Sequence, residues 1–215
     1  MKRAFAAAVL LVAACPAFAE GDDAPRGRRA SRPNAPDWEL AATAYWNALR
    51  AGDDYASAIL AADRGALHLE ARANYEALHA QSAFVGWTFS SGDAVRIEAT
   101  PILGFVGGAA HGPIAGLEAT VTAGRFDLYV EAEYVRGRGD ASSSYTYTWS
   151  EAAYRPSEWL RLGGVAQHTR AYGGERETQR GAFVQLVRGR LTASLYWFNP
   201  GSSDEIVIAS VGMTF

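Results

Sequence analysis

The sequence holds one cysteine and one lysine, and it has a single continuous apolar run. That run, Ala4–Ala14, is well short of the about 20 residues that a membrane-spanning helix needs. Lys2 and Arg3 precede it, and an Ala-Phe-Ala triplet ending at Ala19 follows it. A basic start, an apolar stretch and an A-x-A site are the features of a secretory signal peptide. We therefore expect residues 1–19 to be removed on export.

The scarcity of cysteine limits the covalent chemistry of the chain. If the signal peptide ends at Ala19, Cys15 is lost with it, and the mature chain has no thiol for a disulfide or for catalysis. A second interpretation stays open, because Val12–Cys15 resembles a weak lipobox in which Cys15 would be acylated. Loss of Lys2 and Arg3 changes the formal net charge from −3 to −5. An acidic chain disfavours nucleic acid as a partner.

Residues 20–36 have almost nothing to bury. They contain four arginines, three acids and three prolines. Such a composition does not form a packed core, and we expect a disordered lead-in. A solvated linker is favoured over contact of these arginines with anionic lipid headgroups.

From residue 37 onward, apolar and polar residues alternate in short segments. In the clearest segment, 66–78, one parity is mainly apolar (Leu67, Leu69, Ala71, Ala73, Tyr75) and the other polar (His68, Glu70, Arg72, Asn74, Glu76). Alternation with period two predicts β-strands with two different faces. We predict about 12 strands, within a range of 10–12: 38–49, 55–62, 66–78, 82–89, 94–106, 114–123, 126–135, 145–154, 159–172, 178–188, 191–198 and 204–215.

Two positions complicate this pattern. Pro101 lies inside the segment 94–106 and has no N–H to donate, so that it predicts a bulge or a local bend. Trp149 and Glu151 have the same parity, which leaves the register of 145–154 open.

The connections between the predicted strands alternate in length. Short turns occupy every second connection: 63–65, 90–93, 124–125, 155–158 and 189–190. The three longest loops all fall in the other set: 107–113, 136–144 and 173–177. Short turns at one end, longer loops at the other and an even strand count are typical of a single-chain transmembrane barrel. Closure of the barrel leaves no unpaired sheet edge in lipid.

The last predicted strand, 204–215, has a broad apolar face made by Val207, Ala209, Val211, Met213 and the terminal Phe215. It resembles the closing strand of bacterial outer-membrane β-barrel proteins, which typically ends in Phe and is read by the barrel-insertion machinery. The resemblance implies an all-β chain with a single antiparallel up-and-down transmembrane β-barrel over residues 37–215 and a periplasmic lead-in. It also implies the outer membrane of a Gram-negative bacterium, with outer-membrane lipids and the insertion machinery as partners.

Aromatic residues near the strand ends are expected to form two interfacial girdles. They are Trp38, Trp46, Tyr75, Trp87, Phe89, Tyr134, Trp159, Tyr172, Trp197 and Phe215. A soluble β-sandwich or lipocalin-like barrel is the alternative, and it would bury the apolar face inside. The terminal Phe215 and the asymmetry of turns and loops favour the membrane barrel.

In a membrane barrel the polar face lines the lumen. The residues expected there are Glu70, Arg72, Glu76, Arg96, Glu98, Glu118, Glu131 and Glu133. Acids and arginines across a narrow interior form an ion-pair network. The function is then either a porin-like narrow channel that favours cations or a structural barrel whose charged lumen is partly plugged.

A lipid-modifying outer-membrane hydrolase is the alternative function. Ser82 or the run Ser142–Ser144 could pair with His79 or His168, but no spacing signature selects such a pair, so no catalytic residue is predicted. We expect no metal and no cofactor, because no two of the four histidines lie at ligand spacing and the acids alternate with arginines. The sequence carries no signal for an oligomeric state.

Overall fold

The chain forms thirteen β-strands in the computed structural model, which describes residues 37–138, 143–174 and 176–215. The strands are β1 (Glu39–Leu49), β2 (Tyr55–Arg64), β3 (Leu67–Ala73), β4 (Ala80–Trp87), β5 (Phe89–Ser91), β6 (Val95–Gly108), β7 (Gly112–Ala123), β8 (Phe126–Val135), β9 (Tyr145–Ser157), β10 (Leu160–Ala171), β11 (Arg176–Arg188), β12 (Leu191–Phe198) and β13 (Ile206–Thr214). Within these residues no helix is long and apolar enough to cross a bilayer.

Strands β4 and β5 are two parts of one barrel strand. Both pair with β6, and the register is the same on both sides of the break, with Gly86 opposite Ile102 and Phe89 opposite Ala99. The break lies next to Pro101, which cannot donate to the ladder. Pro101 therefore interrupts the pairing as expected, but it does so without the register shift of a bulge.

The sheet closes on itself. Every strand is antiparallel to its neighbours, and β1 pairs with β13 from Ala41 opposite Thr214 to Leu49 opposite Ile206. With β4 and β5 counted together, the barrel has twelve strands in up-and-down order. The predicted all-β antiparallel barrel of about 12 strands is confirmed.

The apolar face points outward. In β4, buried and exposed residues alternate without exception. In β13, Val211 and Met213 are exposed, whereas Ile206 and Ile208 lie inside. The soluble alternative placed the apolar face inside, and the structure places it outside. An apolar band around a closed barrel is the surface that contacts lipid in transmembrane barrels.

The two ends of the barrel differ. One end, here called the turn end, has connections of two or three residues: 65–66, 92–94, 124–125, 158–159 and 189–190. The opposite end, here called the loop end, has the connections 50–54, 74–79, 109–111, 136–144, 172–175 and 199–205. The predicted asymmetry is present, but the predicted loop 107–113 is wrong in length. Strands β6 and β7 continue to Gly108 and Gly112, whose φ angles of 103° and 153° are accessible to glycine.

The predicted strand 66–78 is also too long. Strand β3 ends at Ala73 because Asn74 adopts a left-handed φ of 53°, which asparagine tolerates better than most residues. The Asn74 side chain stabilises this turn, since its amide donates to Ala56 O at 3.0 Å and its Oδ1 accepts from His79 N at 2.9 Å. The chain then folds into the lumen, where Tyr75 is fully buried. The placement of Tyr75 in an outer aromatic girdle is therefore wrong, although the other nine predicted aromatics are exposed.

The open register of 145–154 is settled by the structure. Tyr147, Trp149 and Glu151 all point into the lumen. Both side chains are accommodated on the inner face because the Trp149 indole Nε1 donates to the Glu151 carboxylate at 3.0 Å. A barrel of this width accommodates aromatic rings inside as well as outside.

The predicted signal peptide and lead-in, together with Cys15, lie outside the described residues. Ser142 does so as well.

Candidate functional site

One arginine stands at the centre of the lumen. Arg72 extends from β3, and its guanidinium has no solvent exposure. Its Nε donates to Glu70, its Nη1 lies 3.0 Å from Glu131 and 2.7 Å from Glu133, and its Nη2 lies 3.4 Å from Glu118. Glu76 is 3.7 Å away. We call these six residues the Arg72 cluster.

The elements around the lumen place these groups by simple periodicity. Glu70 and Arg72 alternate along β3, as Glu131 and Glu133 do along β8, so that each pair shares the inner face. Glu118 lies opposite Glu131 in the β7–β8 register. The regular alternation of the sequence therefore brings four of the five carboxylates to one level of the barrel.

Neutral donors complete the cluster. The Tyr75 hydroxyl donates to Glu131 at 3.0 Å, and the Tyr129 hydroxyl donates to the same carboxylate at 3.4 Å. Ser82 Oγ donates to Glu76. The rings of Tyr75 and Phe84 lie 4.5 Å and 4.4 Å from the Arg72 guanidinium carbon and add cation–π contacts.

The Arg72 cluster contains more acids than arginines. Five carboxylates against one guanidinium give a formal charge of −4 when all are ionised. All but Glu118 are buried, and the Glu118 side chain is only 14% exposed. Burial of uncompensated charge is costly, so this part of the lumen favours any cation that can reach it.

A second cluster lies closer to the turn end, and it is balanced. Arg161 donates to Asp127 Oδ1 from Nε at 2.8 Å and to Glu151 from Nη1, while Arg155 Nε donates to Asp127 Oδ2 at 2.9 Å. The formal charges of these two arginines and two acids sum to zero. Trp149 donates to Glu151 and extends the cluster toward the loop end. We call these five residues the Arg161 cluster.

Aromatic rings fill the lumen around Trp149. Its ring contacts Tyr196 and Phe198 edge to face, each at a centroid distance of 5.3 Å. Phe183 stacks on Tyr196 at 5.3 Å and also lies 4.8 Å from the Arg161 guanidinium carbon. Trp149 and Phe198 have no exposure. The two charged clusters and these rings together narrow the lumen.

A cavity occupies the turn-end half of the lumen. Its volume is about 330 Å³, and it extends from Gly65 and Arg190 at the turn end to Glu70, Glu118 and Tyr129 in the middle. Its ionisable lining is Glu39, Asp63, His68, Glu70, Glu98, Glu118 and Arg190. Five acids face one arginine, so the cavity is acidic like the Arg72 cluster that forms its floor.

The eight residues predicted to line the lumen fall into two groups. Six of them form the Arg72 cluster. The other two, Arg96 and Glu98, pair with each other at 2.8 Å near the turn end. The Arg96 side chain is 57% exposed, whereas Glu98 is 17% exposed and lines the cavity.

The sequence prediction missed the Arg161 cluster. Asp127 has the same parity in β8 as Glu131, so alternation alone could have identified it. Arg161 and Glu151 gave no such signal, because one is an isolated charge in an apolar segment and the other lay in the segment with an open register.

Two of the residues suggested for a catalytic pair, Ser82 and His168, make other contacts, and so do His111 and His68, which were not suggested. Ser82 donates to Glu76, and His168 Nδ1 lies 2.7 Å from Thr178 Oγ1. His111 packs its ring against Phe105 at 5.4 Å. His68 Nδ1 lies 2.8 Å from Asp63. None of these contacts forms the nucleophile–base pair that a serine hydrolase requires.

Comparison with known proteins identifies the architecture. No family model matches the chain, and no curated protein does. Among solved structures, a KdgM porin superposes with a TM-score of 0.57 at 8% identity, over 81% of this chain and 98% of that one. The chain has the porin fold. A KdgM porin in complex with disordered oligogalacturonate gives 0.56 at 6% identity, over 81% and 98%. The NanC porin gives 0.52 at 7% identity, over 82% and 98%.

The porin fold accounts for where the charged residues lie, since its strands alternate between a lipid-facing and a lumen-facing side. At these identities the likeness concerns the backbone. What the lumen does in this chain depends on its own side chains.

Proposed function

We propose that this protein is an integral outer-membrane barrel of the porin type that forms a narrow, low-conductance channel with a preference for cations. The observation that carries the proposal is the acid-lined cavity, which extends from the turn end to the Arg72 cluster inside a porin fold. The apolar outer band supports a membrane location.

Charge argues for cations. Rings of carboxylates in a narrow pore attract cations and repel anions, and the effect is strongest where water is scarce. A KdgM porin has been solved with oligogalacturonate, which is by its name a polyanion. The five carboxylates around Arg72 would repel such a solute, so we expect this channel to select small cations instead.

Width argues for low conductance. Twelve strands lie between the filled eight-stranded barrels and the open 16-stranded porins. Here Tyr75, Trp149 and Phe198 are fully buried inside the lumen and leave little room for water at its middle. A solute that crosses the middle of the lumen has to pass the Arg72 cluster.

Single-channel recording in planar bilayers tests the proposal. We expect the folded protein to give small, discrete, cation-selective steps. The Glu70→Gln/Glu98→Gln double variant is expected to lose much of the selectivity, because both carboxylates line the cavity. Tyr75→Ala removes a ring that packs on Arg72 and is expected to raise the conductance.

Glu205→Gln is the matched control, since Glu205 belongs to the loop-end connection 199–205 and not to the cavity lining. Its selectivity is expected to equal that of the parent protein. A barrel that shifts on heating in gel electrophoresis, and is therefore folded, but stays silent both as wild type and as Tyr75→Ala would refute the channel and leave a structural barrel.

A further inference from the structure

Three side chains capable of binding a metal meet at the floor of the cavity. His68, Glu70 and Glu118 each present one ligand atom, and these atoms all lie within 4.8 Å of one another. His68 and Glu70 share the inner face of β3, and Glu118 approaches from β7 on another side of the lumen. One imidazole nitrogen with two carboxylate oxygens is a donor set for Zn²⁺ and related divalent transition metals.

The state of the His68 ring points to a ligand. The side chain is nine-tenths buried, with 10% exposure. Its Nδ1 lies 2.8 Å from Asp63 Oδ1, and a carboxylate accepts from an N–H, so the neutral ring carries its lone pair on Nε2. Among the described residues Nε2 has no hydrogen-bond partner, and it lies 3.9 Å from Glu70 Oε2.

For the neutral ring, this arrangement is unfavourable without a cation. A buried ring nitrogen without a partner, directed at a carboxylate oxygen, loses the hydrogen bond that it would make with water. A metal ion between the two would satisfy both atoms. Metal-bound histidines commonly donate their second ring N–H to a carboxylate, which is the position that Asp63 occupies here.

Both carboxylates have an oxygen to spare. Arg72 Nε donates to Glu70 Oε1, and Arg72 Nη2 lies 3.4 Å from Glu118 Oε1. The second oxygen of each is not engaged by these contacts. The excess of acids in the Arg72 cluster also favours a divalent cation at this point, and the cavity provides a path for it from the turn end.

We propose that His68, Glu70 and Glu118 bind one divalent transition-metal ion, with Zn²⁺ as the best match, and that Asp63 orients His68. Water from the cavity would complete the coordination. Ligand atoms around a tetrahedral zinc lie roughly 3.4 Å apart, so the two carboxylates have to close in slightly from the observed positions. The sequence argument against a metal rested on histidine spacing and on the alternation of acids with arginines, and neither could bring together ligands from β3 and β7.

Metal binding by the full folded chain in detergent micelles tests this site independently of conductance. With Zn²⁺ alone in calorimetry, we expect one ion per chain. With Co²⁺, we expect visible absorption bands of the intensity that low-symmetry, near-tetrahedral coordination produces. His68→Gln and Glu118→Gln are expected to abolish the one-to-one binding. Asp63→Asn is expected to keep the stoichiometry and weaken affinity about 10- to 100-fold, the usual cost of losing a carboxylate behind a ligating histidine.

Two controls separate a built site from general attraction to an acidic cavity. His168→Gln removes a histidine that contacts Thr178 on the β10–β11 pair, and Glu39→Gln removes another acid of the cavity lining. Both are expected to bind Zn²⁺ like the wild type. If His68→Gln does not fold, Glu118→Gln and Asp63→Asn still decide the question. Absence of Zn²⁺ binding by the wild type, or equal loss in His168→Gln or Glu39→Gln, would overturn the site.

Discussion

Replacement of Arg72 by methionine removes the cation at the centre of the lumen. Methionine keeps the apolar stem of the side chain, so the substitution removes the guanidinium with its charge, its hydrogen bonds and its contacts with the Tyr75 and Phe84 rings. Five carboxylates then lie close together in a buried region without their arginine. Removal of one partner from a buried ion pair costs about 3–5 kcal/mol, and we expect Arg72→Met to lose at least that much of the free energy of unfolding.

Equilibrium urea unfolding in lipid vesicles, followed by tryptophan fluorescence, measures this loss. Arg96→Met is the matched control, because Arg96 also pairs with a glutamate but is 57% exposed. An exposed pair is worth about 0–1 kcal/mol, so the control is expected to unfold almost like the wild type. Equal effects of the two substitutions would show that the Arg72 cluster does not hold the barrel together.

A second set of variants separates repulsion from lost packing. In Arg72→Met/Glu131→Gln/Glu133→Gln, two of the five acids become neutral amides. If repulsion between carboxylates causes the loss, this triple variant is expected to be more stable than Arg72→Met. If the triple variant is less stable still, the hydrogen bonds from Tyr75 and Tyr129 to Glu131 matter more than the charge of the cluster, and the electrostatic argument fails.

Two further predictions concern the frame of the barrel. A Cβ atom on Gly163 would lie 2.0 Å from Ala152 O, so Gly163→Ala is expected to lower the free energy of unfolding by about 1–3 kcal/mol through overpacking. A Cβ atom on Gly107 would have nothing within 4 Å, so Gly107→Ala is the control and is expected to be as stable as the wild type. The same urea titration compares the two variants. Glu205 accepts from the Gly201 N–H at 2.7 Å, and this bond lowers the pKa of its carboxyl. A carboxyl whose pKa is lower in the folded than in the unfolded chain stabilises the fold at pH values above its ordinary pKa. This stabilisation is lost as the pH falls through the folded pKa. The wild type is thus expected to have a higher Tm than Glu205→Gln at pH 7, and this difference should vanish in acid. A difference that persists below pH 3 would contradict this role.

The barrel could be predicted from the sequence because its signal is local. Each strand can be predicted from the alternation of apolar and polar residues along that strand, and each turn from the residues that form it. The outward face of β13 and the inward acids of β3 and β8 followed from parity alone. The exposed aromatics at the strand ends followed from the same rule.

The failures occurred where tertiary contacts override alternation. Asn74 continues the parity of β3, but its left-handed backbone and its bonds to Ala56 and His79 end the strand and turn Tyr75 inward. Trp149 breaks the pattern as an apolar residue on a polar face. Its indole N–H donates to Glu151 inside the lumen, and the alternation of residues along a strand cannot predict that hydrogen bond.

The distribution of charge between the two clusters bears on how the lumen works. The Arg161 cluster contains as many arginines as acids and needs no further cation to balance its charge. The Arg72 cluster has four acids in excess. This excess lies where the cavity ends and where the Nε2 atom of His68 has no hydrogen-bond partner within the described part of the chain. A sealing network alone would be more stable if balanced, as the Arg161 cluster is. The imbalance therefore favours a site that attracts cations from the turn end, and both the conductance and the metal-binding experiments measure that attraction.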